Sequence, residues 1–162
     1  MRVLPLLLAA LLLTGPFLSA GQADADTLMV EADDAAMNAA IAEAKAKLPL
    51  FVAQAATADL SQGDFLVKWA HPILDDTSVE HIWVTVTALT DTAAIGVLAN
   101  QPVDFAGTQG DPAQVLLTDI SDWSWWDAEG KLHGSYTTRV MVPQLSAEDQ
   151  AYFASILAPL PE

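Results

Sequence analysis

The chain has 162 residues, no cysteine, and 21 acidic against 6 basic residues, which gives a formal net charge of −15. This length fits one domain with its own core, and the lack of cysteine excludes disulfides, thiol catalysis and thiolate metal sites. The charge excludes binding to the phosphate backbone of nucleic acids, and it favours a cationic protein or small ligand as partner unless it serves only solubility.

The first twenty residues have the order of a secretory signal peptide. A positive start at Arg2 precedes an apolar run from Val3 to Leu13, and small residues follow. This run is too short to cross a bilayer, which takes about 20 apolar residues. We therefore predict a signal peptide over residues 1–20, a flexible leader over 21–32, a periplasmic location and no stable membrane insertion after cleavage. Three alanines are candidate cleavage sites: Ala20, Ala23 and Ala25.

Residues 33–162 are predicted to form a single domain that starts with a helix. Asp33 or Asp34 can cap this helix. Pro49 has no N–H to donate, so we expect it to kink the helix or to start a second one. The apolar side chains recur every three or four positions and predict one buried stripe, formed by Met37, Ile41, Ala44 and Leu48.

Strand patterns follow the helical region. Alternating apolar and polar residues, interrupted by Gly and Pro, predict strands over 65–70, 80–89, 93–100, 115–118, 120–126 and 131–142. Asp127–Gly130 is expected to form a hairpin turn between the last two strands. Ser146 and Asp149 resemble a capping box that starts a final helix. The predicted fold class is α+β, with an N-terminal helical segment, a mostly antiparallel sheet of short hairpin-linked strands, and a C-terminal helix.

His81 is the candidate catalytic residue, because histidine titrates near neutral pH and can act as a general base. In an enzyme, Asp119 or Asp122 would orient its ring. Glu80 cannot do so, since adjacent residues of a strand face opposite sides. The alternative is a structural histidine that shares a face with Trp83 and is hydrogen-bonded there.

The sequence predicts neither a metal site nor a cofactor. His71, His81 and His133 do not follow any metal-ligand spacing, and Asp75-Asp76 lacks the order of a calcium loop. Nucleophile-elbow and phosphate-loop motifs are absent from the chain.

Three tryptophans crowd into four positions near the end of the predicted sheet. In a strand, Trp123 and Trp125 share one face and Trp126 takes the other. We expect the pair to face the core, because it brings the larger apolar area, and we expect Trp126 to be the more exposed ring. Exposed aromatic rings beside carboxylates suit a cationic or flat ligand. The candidate binding residues are Trp83, Trp123, Trp126, Tyr136 and Arg139.

Arg139 is predicted to lie in the last strand. A guanidinium group prefers a carboxylate, so Asp122 or Asp119 across the hairpin is its expected partner. Capture of an anion is the alternative role.

Six sequence blocks occur in an order that resembles the YegJ-like family of bacterial proteins, a domain of unknown function. The blocks span residues 65–68, 80–84, 96–102, 110–111, 119–123 and 134–140. The resemblance implies one domain of this type over about residues 35–142 and implies no reaction. The leading interpretation is a non-enzymatic periplasmic binding or accessory domain. Small domains of bacterial conflict systems suggest neutralisation of a toxin as a narrower form. The alternative is a small periplasmic enzyme that uses His81.

Overall fold

The structure, a computed structural model, describes residues 3–6, 28–31, 34–73 and 79–161. The candidate cleavage sites and Asp75-Asp76 lie outside this range. Two short strands, β1 (Val3–Leu6) and β2 (Leu28–Glu31), pair with each other antiparallel. They fall within the segments predicted as signal peptide and leader. Among the helices that the structure describes, none is long and apolar enough to span a membrane.

The rest of the described chain forms a six-stranded sheet with three α-helices. Its strands, all antiparallel to their neighbours, lie in the order β6-β5-β4-β3-β7-β8. The strands are β3 (Phe65–Pro72), β4 (Val79–Leu89), β5 (Ala93–Leu98), β6 (Pro112–Leu116), β7 (Ile120–Trp126) and β8 (Leu132–Gly134). The helices are α1 (Ala35–Ala55), α2 (Tyr136–Met141) and α3 (Ala147–Ile156). The predicted α+β class is confirmed.

Helix α1 begins where its cap predicts. The Asp34 carboxylate accepts hydrogen bonds from the amides of Ala36 and Met37, which satisfies two of the free N–H groups at the helix start. Pro49 lies inside this one helix, so of the two predicted alternatives the start of a second helix is wrong. The turn beyond the proline is held because Phe51 is fully buried against the sheet.

The sheet has two faces with different functions in the fold. The α1 face carries Val67, Val84 and Trp123 and forms the main core beneath α1. The far face carries the alternate residues of the same strands, among them Leu66, Lys68, Trp83, Asp122 and Trp126. Trp123 is fully buried and donates its indole N–H to the Ala44 carbonyl at 2.8 Å. The predicted burial of the Trp123 and Trp125 side of the hairpin is confirmed.

The predicted last strand, 131–142, was wrong beyond Gly134. Gly134 (φ 72°) and Ser135 (φ 56°) both adopt left-handed backbone angles, which turn the chain out of the sheet and into α2. The Ser135 side chain makes no capping bond. Asp122 of β7 accepts the first free amides of α2 instead. A cap from a distant strand leaves no local sequence signal, and this explains why the helix was missed.

Gly134 is expected to tolerate no side chain. A Cβ atom there would lie 2.3 Å from the Trp123 carbonyl oxygen, whereas a Cβ at Gly130, with a similar φ of 73°, would meet nothing within 4 Å. Gly130→Ala should therefore cost only the left-handed strain, about 1 kcal/mol. Gly134→Ala adds a backbone clash and should cost about 2–4 kcal/mol. Urea melts followed by far-UV circular dichroism measure both, and equal losses would contradict this account.

Helix α3 starts after Ser146, and this confirms the predicted start of the final helix. The Ser146 hydroxyl accepts the Asp149 amide at 3.2 Å, as a capping residue does. The chain after α3 returns to the sheet, because the Ala158 amide donates to the Leu132 carbonyl at 3.0 Å. This contact places the C-terminal segment beside β8 and α2.

Candidate functional site

A cluster of polar side chains lies buried on the far face, where strands β4, β3 and β7 run side by side. Strand register places Trp83, Lys68 and Asp122 directly opposite one another in one row. The bulge between β3 and β7 and the first turn of α2 add the remaining members. We call this set the Lys68 cluster; it comprises Lys68, His81, Trp83, Ser121, Asp122 and Thr137.

Lys68 is a cation in a nearly dry position. Only 3% of its surface is exposed. Its ammonium group donates to the Thr137 hydroxyl at 2.6 Å and lies 4.7 Å above the centre of a Trp83 ring, a distance typical of cation–π contacts. Burial lowers the pKa of Lys68 to about 8, and the charge of Asp122 opposes this shift. Among the described residues, the buried ammonium group thus has one hydrogen-bond acceptor and no direct ion pair, and Asp122 acts on it as a paired charge without touching it.

Asp122 is fully buried and accepts four hydrogen bonds. Its Oδ1 accepts the amides of Trp123 and Tyr136, and its Oδ2 accepts the amide and the hydroxyl of Thr137. Burial raises the pKa of Asp122, while the Lys68 charge and the hydrogen bonds from Thr137 and Trp123 act in the opposite direction. The Thr137 hydroxyl accepts from Lys68 and donates to Asp122, so it links the two charges.

His81 is paired with a hydroxyl group rather than a carboxylate. Its Nδ1 lies 2.8 Å from the Ser121 Oγ, and the Ser121 hydroxyl donates to the Lys68 carbonyl at 3.2 Å. Since the single hydroxyl proton is used there, His81 must carry its proton on Nδ1 and donate it to Ser121. Burial, followed by the charges of Lys68 and Lys45, lowers the pKa of His81 to about 4. The ring is therefore neutral at neutral pH.

The structure does not bring the proposed catalytic residues together. Asp122 caps α2 and Asp119 accepts a hydrogen bond from the Thr118 hydroxyl. Neither carboxylate orients His81, and a base with a pKa of about 4 accepts protons poorly at neutral pH. Glu80 faces away from His81, as expected, and its carboxylate accepts the amides of Val103 and Asp104. Within the described segments no group of three or more acidic or histidine side chains could hold a metal ion.

The candidate binding residues are separated by the fold. Trp83, Trp123 and Tyr136 are buried, whereas Trp126 and Arg139 are half-buried. The predicted ion pair of Arg139 was wrong. Its guanidinium donates to the carbonyls of Gly134 and Ala158 at 2.9 and 2.7 Å, because the chain is helical here and the C-terminal segment lies beside it. Arg139 thus links the C-terminal segment to the end of β8 by hydrogen bonds to both.

Sequence reasoning missed three members of the cluster: Lys68, Ser121 and Thr137. A lysine in the middle of an otherwise apolar strand was the available signal, because burial of a charge in a sheet requires a partner. The serine and threonine carried no such signal, since both residue types are common on exposed surfaces.

Because the pKa of Lys68 is lowered in the folded state, the free energy of unfolding should depend on pH. The unfolded lysine titrates near 10.5 and the folded one near 8, so the unfolded state binds more protons between these values. Stability due to Lys68 should therefore rise by about 3 kcal/mol from pH 8 to 10.5 and stay constant below pH 8. Urea melts of the native protein and Lys68→Met across this range give the difference. Parallel pH profiles for the two proteins would show that Lys68 keeps its normal pKa.

The cationic side chains beyond the N-terminal segment are all engaged within the chain. The four other than Lys68 donate to backbone carbonyls, namely Lys45, Lys47, Lys131 and Arg139. In the part of the chain that the structure describes, no lysine or arginine forms an ion pair with a carboxylate. The contact there between a basic side chain and a carboxylate is that of the His133 Nε2 with the Asp127 Oδ2, at 2.8 Å. The carboxylates of the described residues are therefore not neutralised by direct ion pairs with lysine or arginine.

Comparison with known proteins bears out the resemblance. A protein-family model described as "Uncharacterized protein conserved in bacteria (DUF2314)" matches residues 34–157. The chain is 32% identical over 124 residues to "Uncharacterized protein YegJ" of Escherichia coli strain K12, which covers 75% of this chain and 78% of the relative. No solved structure matches the chain. The matched region starts at the cap of α1 and includes the whole Lys68 cluster.

Proposed function

We propose that this chain, which belongs to the DUF2314 family of uncharacterized bacterial proteins, is an exported, non-enzymatic domain that binds a cationic protein. The observation that carries the proposal is the excess of acidic over basic residues, which gives a formal net charge of −15. The chain has 21 acidic residues against 6 basic ones, and in its described part no lysine or arginine forms an ion pair with a carboxylate. Such a field attracts a cationic partner and speeds its association. Neutralisation of a toxin is a narrower form of this proposal.

The state of His81 supports binding over catalysis. A general base requires a pKa near the working pH and a partner that orients it. His81 has a pKa of about 4 and is bonded to Ser121. The polar groups around it are occupied by one another, as in a structural network.

Export should produce a chain that begins between Gly21 and Asp26, because the apolar run ends in small residues. N-terminal sequencing of protein from the periplasmic fraction measures this start. Leu8→Arg, which places a charge in the apolar run, should keep the chain uncleaved in the cytoplasm. A native chain that retains Met1, or a Leu8→Arg chain that is processed normally, would contradict export.

Partner binding can be tested with the processed protein immobilised and exposed to its own periplasmic extract. We expect mass spectrometry to identify a basic protein among those retained. Its affinity for the purified chain should fall as ionic strength rises, because salt screens exposed charges beyond about 10 Å at 0.1 M. Retention of acidic proteins alone, or binding insensitive to salt, would overturn the proposed partner class.

A further inference from the structure

The two outer edges of the six-stranded sheet differ in what lies beside them. At one end the C-terminal segment flanks β8, where Leu132 bridges Leu157 and the Leu132 carbonyl accepts the Ala158 amide at 3.0 Å. At the other end β6 pairs with β5 on one side and with no described strand on the other. Within the residues that the structure describes, β6 is therefore the open edge of this sheet.

The hydrogen bonds between β5 and β6 fix the direction of the β6 backbone groups. Two bonds of 2.9 Å join the ends of this pair, from the Leu98 amide to the Asp111 carbonyl and from the Leu117 amide to the Thr92 carbonyl. Because backbone groups alternate in direction along an antiparallel strand, the odd-numbered positions of β6 bond to β5. The Gln114 amide and carbonyl and the Leu116 amide then point outward, where they have no hydrogen-bond partner among the described residues.

Apolar side chains lie exposed beside this edge. On the far face, Leu116 is 49% exposed and Ile95 of β5 is 39% exposed. They are diagonal neighbours, since Ile95 pairs with Gln114, and side chains in that relation are within reach of each other. The β6 sequence, Pro-Ala-Gln-Val-Leu, has no charged residue of the kind that keeps edge strands from pairing with other chains. Its proline removes an outward donor at the first position only.

Carboxylates flank both ends of β6. Asp111 precedes the strand and is exposed. Asp119 follows the strand, and Asp91 lies in the β4–β5 turn at that same end. One cation stands against these two acids, because Lys45 donates to the Thr118 carbonyl at 3.4 Å. An incoming strand with basic residues on both sides of its paired part matches this charge distribution.

A second copy of the chain fits the edge poorly. Two β6 strands paired antiparallel about Gln114 would place Asp111 of one copy two positions from Asp119 of the other, and pairing about Val115 would place the two aspartates directly opposite. Like charges opposite each other destabilise a strand pair. Each copy also has a formal net charge of −15, which opposes association of two copies and favours a cationic partner.

We infer that an extended segment of the cationic partner adds to the outer edge of β6 as a seventh strand of the sheet. Its backbone bonds to the outward groups of Gln114 and Leu116. One of its apolar side chains covers Leu116 and Ile95, and basic residues on either side face Asp111 and Asp119. The inference rests on the proposed function and names the part of the partner that is recognised.

A synthetic peptide tests this edge. The probe is fluorescein-labelled Lys-Lys-Val-Thr-Val-Thr-Val-Lys-Lys, followed by fluorescence anisotropy with the purified chain, and we expect saturable binding. The control peptide has the same side chains and charge but carries N-methyl groups on its five central residues, which remove the donors of a β-ladder. It should bind at least about tenfold more weakly. Absence of binding, or equal binding of the two peptides, would overturn the inference.

Substitutions at the outward positions locate the bound peptide. Gln114→Pro removes the outward donor and keeps the bonds to β5, because proline is tolerated where an edge strand points its N–H to solvent; Gln114→Ala keeps the donor. Leu116→Lys removes the apolar contact and adds a positive charge, and Tyr152→Lys makes the same change of charge at an exposed position of α3. The first variant of each pair should bind the peptide at least about tenfold more weakly and the second within about twofold of the native chain. Circular dichroism establishes that each variant is folded, and normal binding by both Gln114→Pro and Leu116→Lys would overturn the inference.

Amide hydrogen exchange measured by NMR reads the same site in the native chain. The amides of Gln114 and Leu116 should exchange rapidly without peptide, whereas those of Ala113 and Val115 bond to β5. Saturation with the peptide should slow exchange at Gln114 and Leu116 at least about tenfold. Unchanged exchange at these two amides would overturn the inference.

The outcomes separate this inference from the proposed function. If a basic periplasmic protein is retained equally by the native chain and by Gln114→Pro and Leu116→Lys, the proposed function stands and the β6 site is wrong. If the peptide binds at β6 and no basic protein is retained, the site stands and the proposed partner class is wrong. A native chain that forms dimers which Leu116→Lys abolishes would show that a second copy occupies the edge, and this would overturn the inference.

Discussion

Asp122→Ala is expected to lower the free energy of unfolding by about 3–5 kcal/mol, as for removal of one partner from a buried charge pair. The substitution removes four hydrogen bonds at once. It leaves the first amides of α2 without an acceptor, and it leaves the Lys68 ammonium buried without a nearby negative charge. Each of these losses is costly because the site is closed to water, which cannot replace the missing acceptor.

Lys68→Met is the matched control for this prediction. It removes the charge and keeps a side chain of similar length, while Asp122 retains all four hydrogen-bond donors. We therefore expect it to cost less than Asp122→Ala, about 1–2 kcal/mol. Urea melts at pH 7, followed by circular dichroism at 222 nm, compare the two. An Asp122→Ala protein as stable as Lys68→Met would show that the cap and the buried charge contribute little.

Trp123→Ala is expected to cost about 3–5 kcal/mol, as for a large aromatic side chain removed from a packed core. The Trp123 ring stacks on Trp125 with centroids 5.2 Å apart and contacts Phe51 and Tyr136. Its N–H also bonds to the backbone of α1 at Ala44. The ring therefore joins β7, α1 and the start of α2, and its loss leaves a cavity among elements that cannot easily close it.

Trp126→Ala provides the contrast on the other side of the same strand. Trp126 is half-buried, and its N–H has no partner, so we expect its removal to change stability by at most about 1 kcal/mol. Far-UV circular dichroism is the appropriate signal, because fluorescence would mix the five tryptophans. A Trp126→Ala loss as large as that of Trp123→Ala would show that the far face is part of the folding core.

Much of the fold could be predicted from local patterns. β7 has the predicted bounds, 120–126, and β4 and β3 lie within two residues of theirs. The caps Asp34 and Ser146 mark the starts of α1 and α3. These features were accessible because strand alternation and helix capping depend on residues a few positions apart. The burial of Trp123 against the core could be predicted from the same alternation, because Trp123 and Trp125 together give their face of the strand the larger apolar area.

The sequence by itself determined four of the six strands of the sheet, two of the helices, the buried tryptophan face and the acidic charge. The strand predicted over 115–118 was wrong in its bounds, since β6 spans Pro112–Leu116 and residues 117–119 form a 3-10 turn. Only the tertiary structure decided where α2 begins, which groups Arg139 contacts, and that Lys68 lies within reach of Thr137. Those features depend on side chains that meet across 69 positions for Lys68 and Thr137 and 15 for Asp122 and Thr137. Contacts between residues so far apart are set by strand order and register, which local patterns do not specify. A buried charge is satisfied by whichever hydroxyl or amide the fold brings beside it.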